Sequence, residues 1–297
     1  DVPIPDYVGS QADPYVNTAR VDNQGWDISA NWRQSGEVSY NFGVIVSPVN
    51  NKVVRLAEGR SEIFAAFING EPATHTIVGL PIGSFYGYRV GGIFQSQEEL
   101  DASPKFGNEK VGDIRFIDTN GDGILDGEDR VYLGSPIPTL TYSLTAGLDW
   151  KGFDFNADLL GASGHKVFNA KETFRIAAYN WEHHVVDRWT ISNPSLTEPR
   201  INNSSHNDRV SDRFLQDGSF VRLRAITLGY SLPTDLLSKA KVSKLRLFVT
   251  GINVWTKQEY NGYSPEFPNG SNAYQVGFDF GGYPIAKSWI GGIEIQF

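Results

Sequence analysis

The sequence predicts an all-β fold, a transmembrane antiparallel β-barrel of the outer-membrane type. Three observations predict it: long segments alternate apolar and polar residues with period two, very short turns and very long connections follow one another, and an alternating strand closes the chain on an aromatic residue. A soluble β-sandwich also alternates, but its strands average about five to six residues, and nothing in its physics sorts short connections from long ones.

Near the front, Trp26, Ile28, Ala30 and Trp32 alternate with Asp27, Ser29, Asn31 and Arg33. Tyr40, Phe42, Val44 and Val46 then alternate with Ser39, Asn41 and Gly43, which makes a hairpin. The most regular strand is "LTYSLTAGLDW", where Tyr142, Leu144, Ala146, Leu148 and Trp150 share one face. After a Lys151-Gly152 turn, Phe153, Phe155, Ala157 and Leu159 alternate with Asp154, Asn156 and Asp158. The pattern recurs at 219–232, 244–256 and 286–297. It is least regular at 244–256, where Phe248, Ile252 and Val254 share the face of Lys244 and Arg246. The period-two criterion yields about nine strands. Polar positions such as Asp149, Asp154, Asn156 and Asp158 suit the hydrated inner face of a wide barrel.

The remaining composition excludes several classes. A net charge of −8 and no Lys/Arg run speak against nucleic acid. With no cysteine there is neither disulfide nor thiolate metal site. No apolar run approaches the roughly 18 residues of a membrane helix, and no signal-peptide pattern opens the chain. Methionine is absent throughout, position 1 included, so a processed product or a piece of a longer polypeptide is expected.

One motif carries metal chemistry. "DTNGDGILDGED", residues 118–129, places oxygen donors at positions 1, 3, 5, 7, 9 and 12 of a twelve-residue calcium loop: Asp118, Asn120, Asp122, Ile124 through its backbone carbonyl, Asp126 and Asp129. Gly123 sits at the sharp turn, and Asp129 replaces the usual Glu with a shorter arm. The competing reading is an acidic Asn-Gly/Asp-Gly turn, but the match is too long for turn chemistry alone. The flanking "GDIRFI" and "RVYLGSPIP" are β-branched or rich in Pro and Gly, so the ion would pin a loop between strands and not join two helices.

Sidedness follows from the end of the chain. In "SWIGGIEIQF", Trp289, Ile293, Ile295 and Phe297 share a face. Gly292, Ile295 and the terminal aromatic resemble the insertion signal of outer-membrane barrels, with Ile290 a departure where a polar residue is usual. If that last strand descends to the periplasm, parity makes the connections 94–137, 163–218 and 257–285 extracellular and leaves Lys151-Gly152 and 233–243 periplasmic. Trp150, Phe153, Tyr230 and Phe297 then fall at periplasmic ends, and Trp255 and Trp289 at outer ends, as two aromatic girdles require. The calcium loop faces outward.

"NQGWDISANW", "GLPIGSFYGYRVGGIFQSQEEL", "GDIRFIDTNGDGILDGEDRVYLGSPIPTLTYSLTAGLDWKGFDFNADLLG", "DGSFVRLRAITLGYSLP" and "LRLFVTGINVWT" resemble, in order and over essentially all of residues 1–297, the C-terminal portion of the SusC/RagA family of TonB-dependent transporters of Bacteroidota. The resemblance implies a 22-stranded outer-membrane barrel of a Gram-negative bacterium, plugged by an N-terminal domain and surrounded by outer-membrane lipid. It also implies a SusD-like lipoprotein capping the barrel, and import of oligosaccharides or peptides with energy delivered by TonB. The plug, the TonB-contacting segment and the first strands are not in this sequence, so a larger complex with the rest of the same polypeptide is expected.

Enzymatic readings are weaker. His75, His165, His183, His184 and His206 are scattered over expected loops, and adjacent histidines cannot present two ligands as a helical i, i+4 pair does. No G-x-S-x-G, P-loop or H-E-x-x-H motif occurs. Loop aromatics Tyr179, Trp181, Trp189, Tyr260, Tyr263 and Tyr274 could stack on sugars, meet a lid or pack the loops together. Asn202 and Asn203 begin N-x-S/T sequons of little weight here. A soluble calcium-dependent β-sandwich that binds carbohydrate is the alternative from a different class.

Overall fold

The computed structural model describes residues 19–56, 61–173, 181–201, 206–237, 242–266 and 273–297. Strands β1 (Arg20–Gly25) and β2 (Ile28–Gln34) both pair with one long strand, β3 (Val38–Arg55). The sequence pattern fades after Val46 because Pro48 and an Asn pair interrupt the alternation, yet β3 continues. Pro48 donates nothing, but its carbonyl accepts from Trp26 N at 3.1 Å. Gly25 makes that approach possible, since a Cβ there would collide with the Pro48 carbonyl.

Six further strands precede the next member of the main sheet. β4 (Glu62–Ile68) and β5 (Glu71–Ile77) form a hairpin through Asn69-Gly70, both at positive φ as a type I′ turn needs. β6 (Ser84–Gly87), β7 (Val90–Ile93), β8 (Ile114–Phe116) and β9 (Val131–Gly134) complete a four-stranded sheet ordered β4-β5-β6-β9 and a β7-β8 pair. Between β7 and β8 lies a six-residue helix, Gln97–Ala102, capped by Ser96. Short strands in a long loop lack the alternation length that reveals a barrel strand.

The main sheet resumes with β10 (Leu140–Trp150) and β11 (Phe153–Ser163), whose turn holds Lys151 and Gly152 at positive φ. β12 (Lys166–Phe168) pairs with β13 (Leu215–Asp217) outside the sheet. β14 (Phe220–Ser231), β15 (Lys244–Gln258) and β16 (Ser288–Gln296) finish it. The result is an eight-stranded antiparallel sheet, β1-β3-β10-β11-β14-β15-β16 with β2 also on β3. Connections 56–139, 164–219 and 259–287 leave from one end of this sheet, whereas 35–37, 151–152 and 232–243 lie at the other.

Register turns the sequence alternation into two faces. Trp32, Phe42, Ala146, Ala157, Ile226, Gly251 and Trp289 stand side by side across seven strands, and Tyr40, Leu148, Phe155, Leu228, Val249 and Gly291 form a second row. These rows face outward: Trp32 is 62% exposed, Trp289 68% and Leu228 52%. The opposite face carries Asn41, Asn156, Thr227 and Thr250 in one row, and Asp149 and Asp154 in the next. Here Arg246 donates to both Asp154 oxygens, at 2.8 and 2.6 Å, over Gly229, where a side chain would displace the pair. The irregularity sensed at 244–256 also has a cause, because Phe248 lies under the Arg246 guanidinium at 4.9 Å. In β14 the register shifts at Arg224, which pairs with Asp158, and the apolar parity changes from Val221 and Leu223 to Ile226 and Leu228.

The sheet's apolar face is exposed, and the hydrophobic cores lie in the long connections. One joins Ile68, Phe85, Phe168, Val210, Phe214 and Phe278, with a second around Tyr88, Ile114, Phe116 and Leu125. No helix of the described residues is long and apolar enough to cross a membrane.

Candidate calcium loop and the junction beneath it

Residues 118–129 leave β8 and enter β9, joining the two small sheets. Asp118 accepts from Gly121 N at 2.6 Å and Gly123 N at 2.8 Å, and these amides, Gly123 foremost, hold its carboxyl below the usual carboxylate range. Asn120 accepts from Asp122 N at 3.0 Å, Asp122 from Ile124 N at 2.8 Å, and Asp126 from Glu128 N at 2.8 Å. Asp129, fully buried, closes the loop on itself by accepting from Thr119 N at 2.7 Å and Asp126 N at 2.9 Å. Gly121 and Gly123 take positive φ, as the tight winding requires.

All six sequence-identified positions therefore lie on one wound loop, with four carboxylates and an amide oxygen held by backbone N–H groups. The donor chemistry is all oxygen, which suits a hard cation. Among the described residues, the group of three whose ligand atoms all lie within 4.8 Å is a different one, Glu172, Glu182 and His184.

Leu125 anchors the loop by entering the Tyr88–Ile114–Phe116 core at 4% exposure. Arg130 follows, 5.1 Å over the Tyr88 ring and 3.4 Å from Glu71, which also pairs with Arg209. Arg209 in turn lies 3.9 Å over Phe106. Beneath β8, Asp113 accepts from Arg200 Nη2 at 3.0 Å and Asn207 Nδ2 at 3.1 Å. Asn207 Oδ1 and His206 Nε2 hold the Ile114 amide and carbonyl at 2.9 and 2.7 Å, so His206 carries its proton on Nε2. Val90 N donates to Asp212 at 3.0 Å, and burial pushes that carboxyl up. Burial pushes Asp208 up to about 7 against the pull of Arg213. This junction locks the 56–139 connection to the 206–213 segment. Sequence reading missed it because its partners are remote: Asp113 and Arg200 stand 87 positions apart, Glu71 and Arg209 138.

The loop aromatics divide. Trp189 packs on Gly112 and donates to Gln95 at 3.2 Å. Tyr260 is buried, and its hydroxyl donates to Asp279 at 2.5 Å. The Tyr274 carbonyl accepts from Thr74. Trp181 and Tyr263 are exposed. Tyr179, Asn202 and Asn203 lie outside the described residues. His75 stacks on Phe64 and lies 2.8 Å from Glu62, while His165 is buried.

No family model matches the chain. It is 29% identical over its whole length to TonB-dependent receptor P26 of Formosa agariphila, covering 31% of that protein. To TonB-dependent receptor SusC of Bacteroides thetaiotaomicron it is 25% identical, again over its whole length and 28% of the relative. The structure of the RagAB peptide transporter superposes on all of the chain with a TM-score of 0.79 at 21% identity, over 32% of that chain. The chain thus spans about a third of the length of its relatives. In sequence the chain is similar to proteins named TonB-dependent receptors, SusC among them, and in fold to part of the RagAB peptide transporter.

Proposed function

We propose that this chain forms part of a SusC-like TonB-dependent importer in the outer membrane of a Gram-negative bacterium of the Bacteroidota. In this reading it takes up oligosaccharides or peptides with a SusD-like surface lipoprotein. The carrying observation is the sheet itself: an exposed apolar belt on one face, charged pairs on the other, and all long connections at one end. Lipid would cover the belt, since a closed barrel satisfies its backbone across strands and can face hydrocarbon. The likeness of the whole chain to about a third of proteins named as TonB-dependent receptors and SusC supports the importer, and the RagAB peptide transporter supports peptide as one cargo class. A soluble sandwich would cover its apolar face with a second sheet, and here that face is open.

The long connections then lie outside the cell, and residues 118–129 bind calcium as a structural ion through Asp118, Asn120, Asp122, the Ile124 carbonyl, Asp126 and Asp129. Outside a cell even a modest-affinity site stays loaded. The ion would fix the link between the two small sheets and the junction below them.

The test of the importer is a native gel of detergent-extracted outer membranes with every component of the band identified by mass spectrometry. Co-migration with a plug-bearing remainder and a SusD-like lipoprotein is expected, and a lone water-soluble species would overturn the reading. For the loop, calcium should protect residues 118–129 from proteolysis, and Asp118→Ala with Asp122→Ala should abolish the protection. Equal cleavage of the unsubstituted protein with and without calcium removes the site.

A further inference from the structure

Two cavities follow one another at the end of the main sheet from which the long connections leave. The first, of about 280 Å³, is bounded by Val49 and Thr139, whose backbones are joined by a 2.9 Å hydrogen bond, and by Ser135, His165, Lys166 and Asp217 of the connections. The second, of about 250 Å³, begins two residues further along both strands, at Ser47 and Thr141, about 7 Å away at the rise of a strand. Ser47 and Thr141 are register partners on the polar face that carries Asn41, and Ser143, Leu160, Phe220 and Glu266 complete this cavity. We infer that the two cavities are successive subsites for the sugar residues of a neutral oligosaccharide. The inference rests on the importer reading, which turns this face toward the barrel interior, and it narrows the cargo from two classes to one.

Charge and backbone pairing decide the class. Lys166 Nζ lies 3.5 Å from Asp217 Oδ2 in the first cavity, and Glu266 of the second pairs with Arg222. Each charged wall residue thus has an opposite partner, and a charged ligand would have to displace one of them. The backbone around the first cavity is bonded to itself: Thr139 N donates to the Ser163 carbonyl at 3.0 Å, Lys166 N to Ser135 at 2.7 Å and Gly218 N to His165 at 3.0 Å. An extended peptide binds by adding a strand to a free edge, and these amides leave it none. What remains is side-chain chemistry of the kind that meets hydroxyl groups. Ser135 Oγ, for one, accepts from Ile137 N at 3.1 Å and keeps its own proton to donate.

An independent observation points to a ligand. His165 lines the first cavity at 8% exposure, and its buried Nδ1 has no hydrogen-bond partner among the described residues. Its ring lies over Gly218, where a Cβ would collide with it. Burial lowers its pKa, so the imidazole is neutral and offers one donor and one acceptor. A buried polar atom without a partner is costly, and a hydroxyl, which donates and accepts, satisfies either tautomer. Size agrees, since both cavities fall below the range of about 300–1,000 Å³ that takes drug-sized ligands. In the second cavity Leu160 and Phe220 supply apolar contact beside the hydroxyls of Ser47, Thr141 and Ser143, which suits a ring with C–H faces and a polar rim.

The test uses the full transporter complex in detergent and titration calorimetry with a malto-, a manno- and a galacto-oligosaccharide, each against an uncharged peptide of equal mass. Saturable binding of at least one of the sugars is expected. His165→Leu and Thr141→Val should each weaken it about 10-fold, and Gly218→Ala, which pushes the imidazole aside, should act in the same direction. Heat-dependent gel mobility reports that each variant is folded. Binding of none of the sugars, or sugar binding unchanged in His165→Leu and Thr141→Val, overturns the subsites. Weakening by one of these two variants alone overturns their succession. Peptide binding that His165→Leu abolishes overturns the sugar class and leaves the importer standing, whereas failure of the importer shows separately, as a lone water-soluble species on the native gel.

Discussion

The eight-stranded sheet and the connections beyond its long-loop end use the same aromatic and aliphatic residues in opposite ways. In the sheet, Trp32, Leu228 and Trp289 point outward while Asp154 and Arg246 pair on the other face. In the connections, Phe85, Phe168 and Phe278 are buried against one another, with Phe85 meeting Phe278 edge to face. The difference is one of solvent. A strand facing lipid has its apolar environment supplied from outside, so its partners need only satisfy the backbone, whereas a connection in water must build its own core.

The largest expected effect probes the core of the connections. Phe168→Ala should cost about 3–5 kcal/mol, seen as lost hydrogen-exchange protection over 62–77 and 210–217 with the barrel's heat-dependent gel mobility unchanged. Joint loss of both would show one cooperative unit and break the comparison. Next, Leu228→Arg should cost about 2–4 kcal/mol if its row lies near the bilayer midplane, read as folded fraction in lipid vesicles. Thr227→Arg, one residue away on the polar face, should cost far less, and equal costs would remove the two-faced account. In the wound loop 118–129 without metal, Asp129→Ala should cost about 1–3 kcal/mol because the Thr119 and Asp126 amides lose their acceptor. Proteolysis at 118–129 measures it, and a variant as resistant as the parent would show that Asp129 does not close the loop.

The smallest effect is that of Asp212→Asn. Burial raises the folded pKa of Asp212 above its unfolded value, so its contribution favours folding at low pH. That contribution is lost as pH rises from the ordinary carboxylate range through the raised value. Asn keeps an oxygen acceptor for Val90 N. The variant's stability should be flatter across that window and slightly higher above it, and parallel denaturation profiles would show that Asp212 does not titrate differently on folding.

Long strands were legible because period two survives in Leu140–Trp150 and Phe153–Ser163 without help from distant residues. The wound loop at 118–129 was legible because its six oxygen-donor positions lie within twelve consecutive residues. The strand past Pro48 was not, since its pairing depends on the Trp26 amide and on Gly25 having no side chain. Strands of three or four residues such as β8 and β12 were equally hidden, being held by neighbours far along the chain.

By itself the sequence determined the two-faced strands, the segregation of short turns from long connections and the winding of residues 118–129, because each depends on spacing along one stretch of chain. Only the tertiary structure decided that Glu71 meets both Arg130 and Arg209, that Asp113 receives Arg200, and that His184 faces Glu172 and Glu182. Such pairings arise when long connections fold back on one another, and no local periodicity records which remote side chain will fill a given charge or cavity.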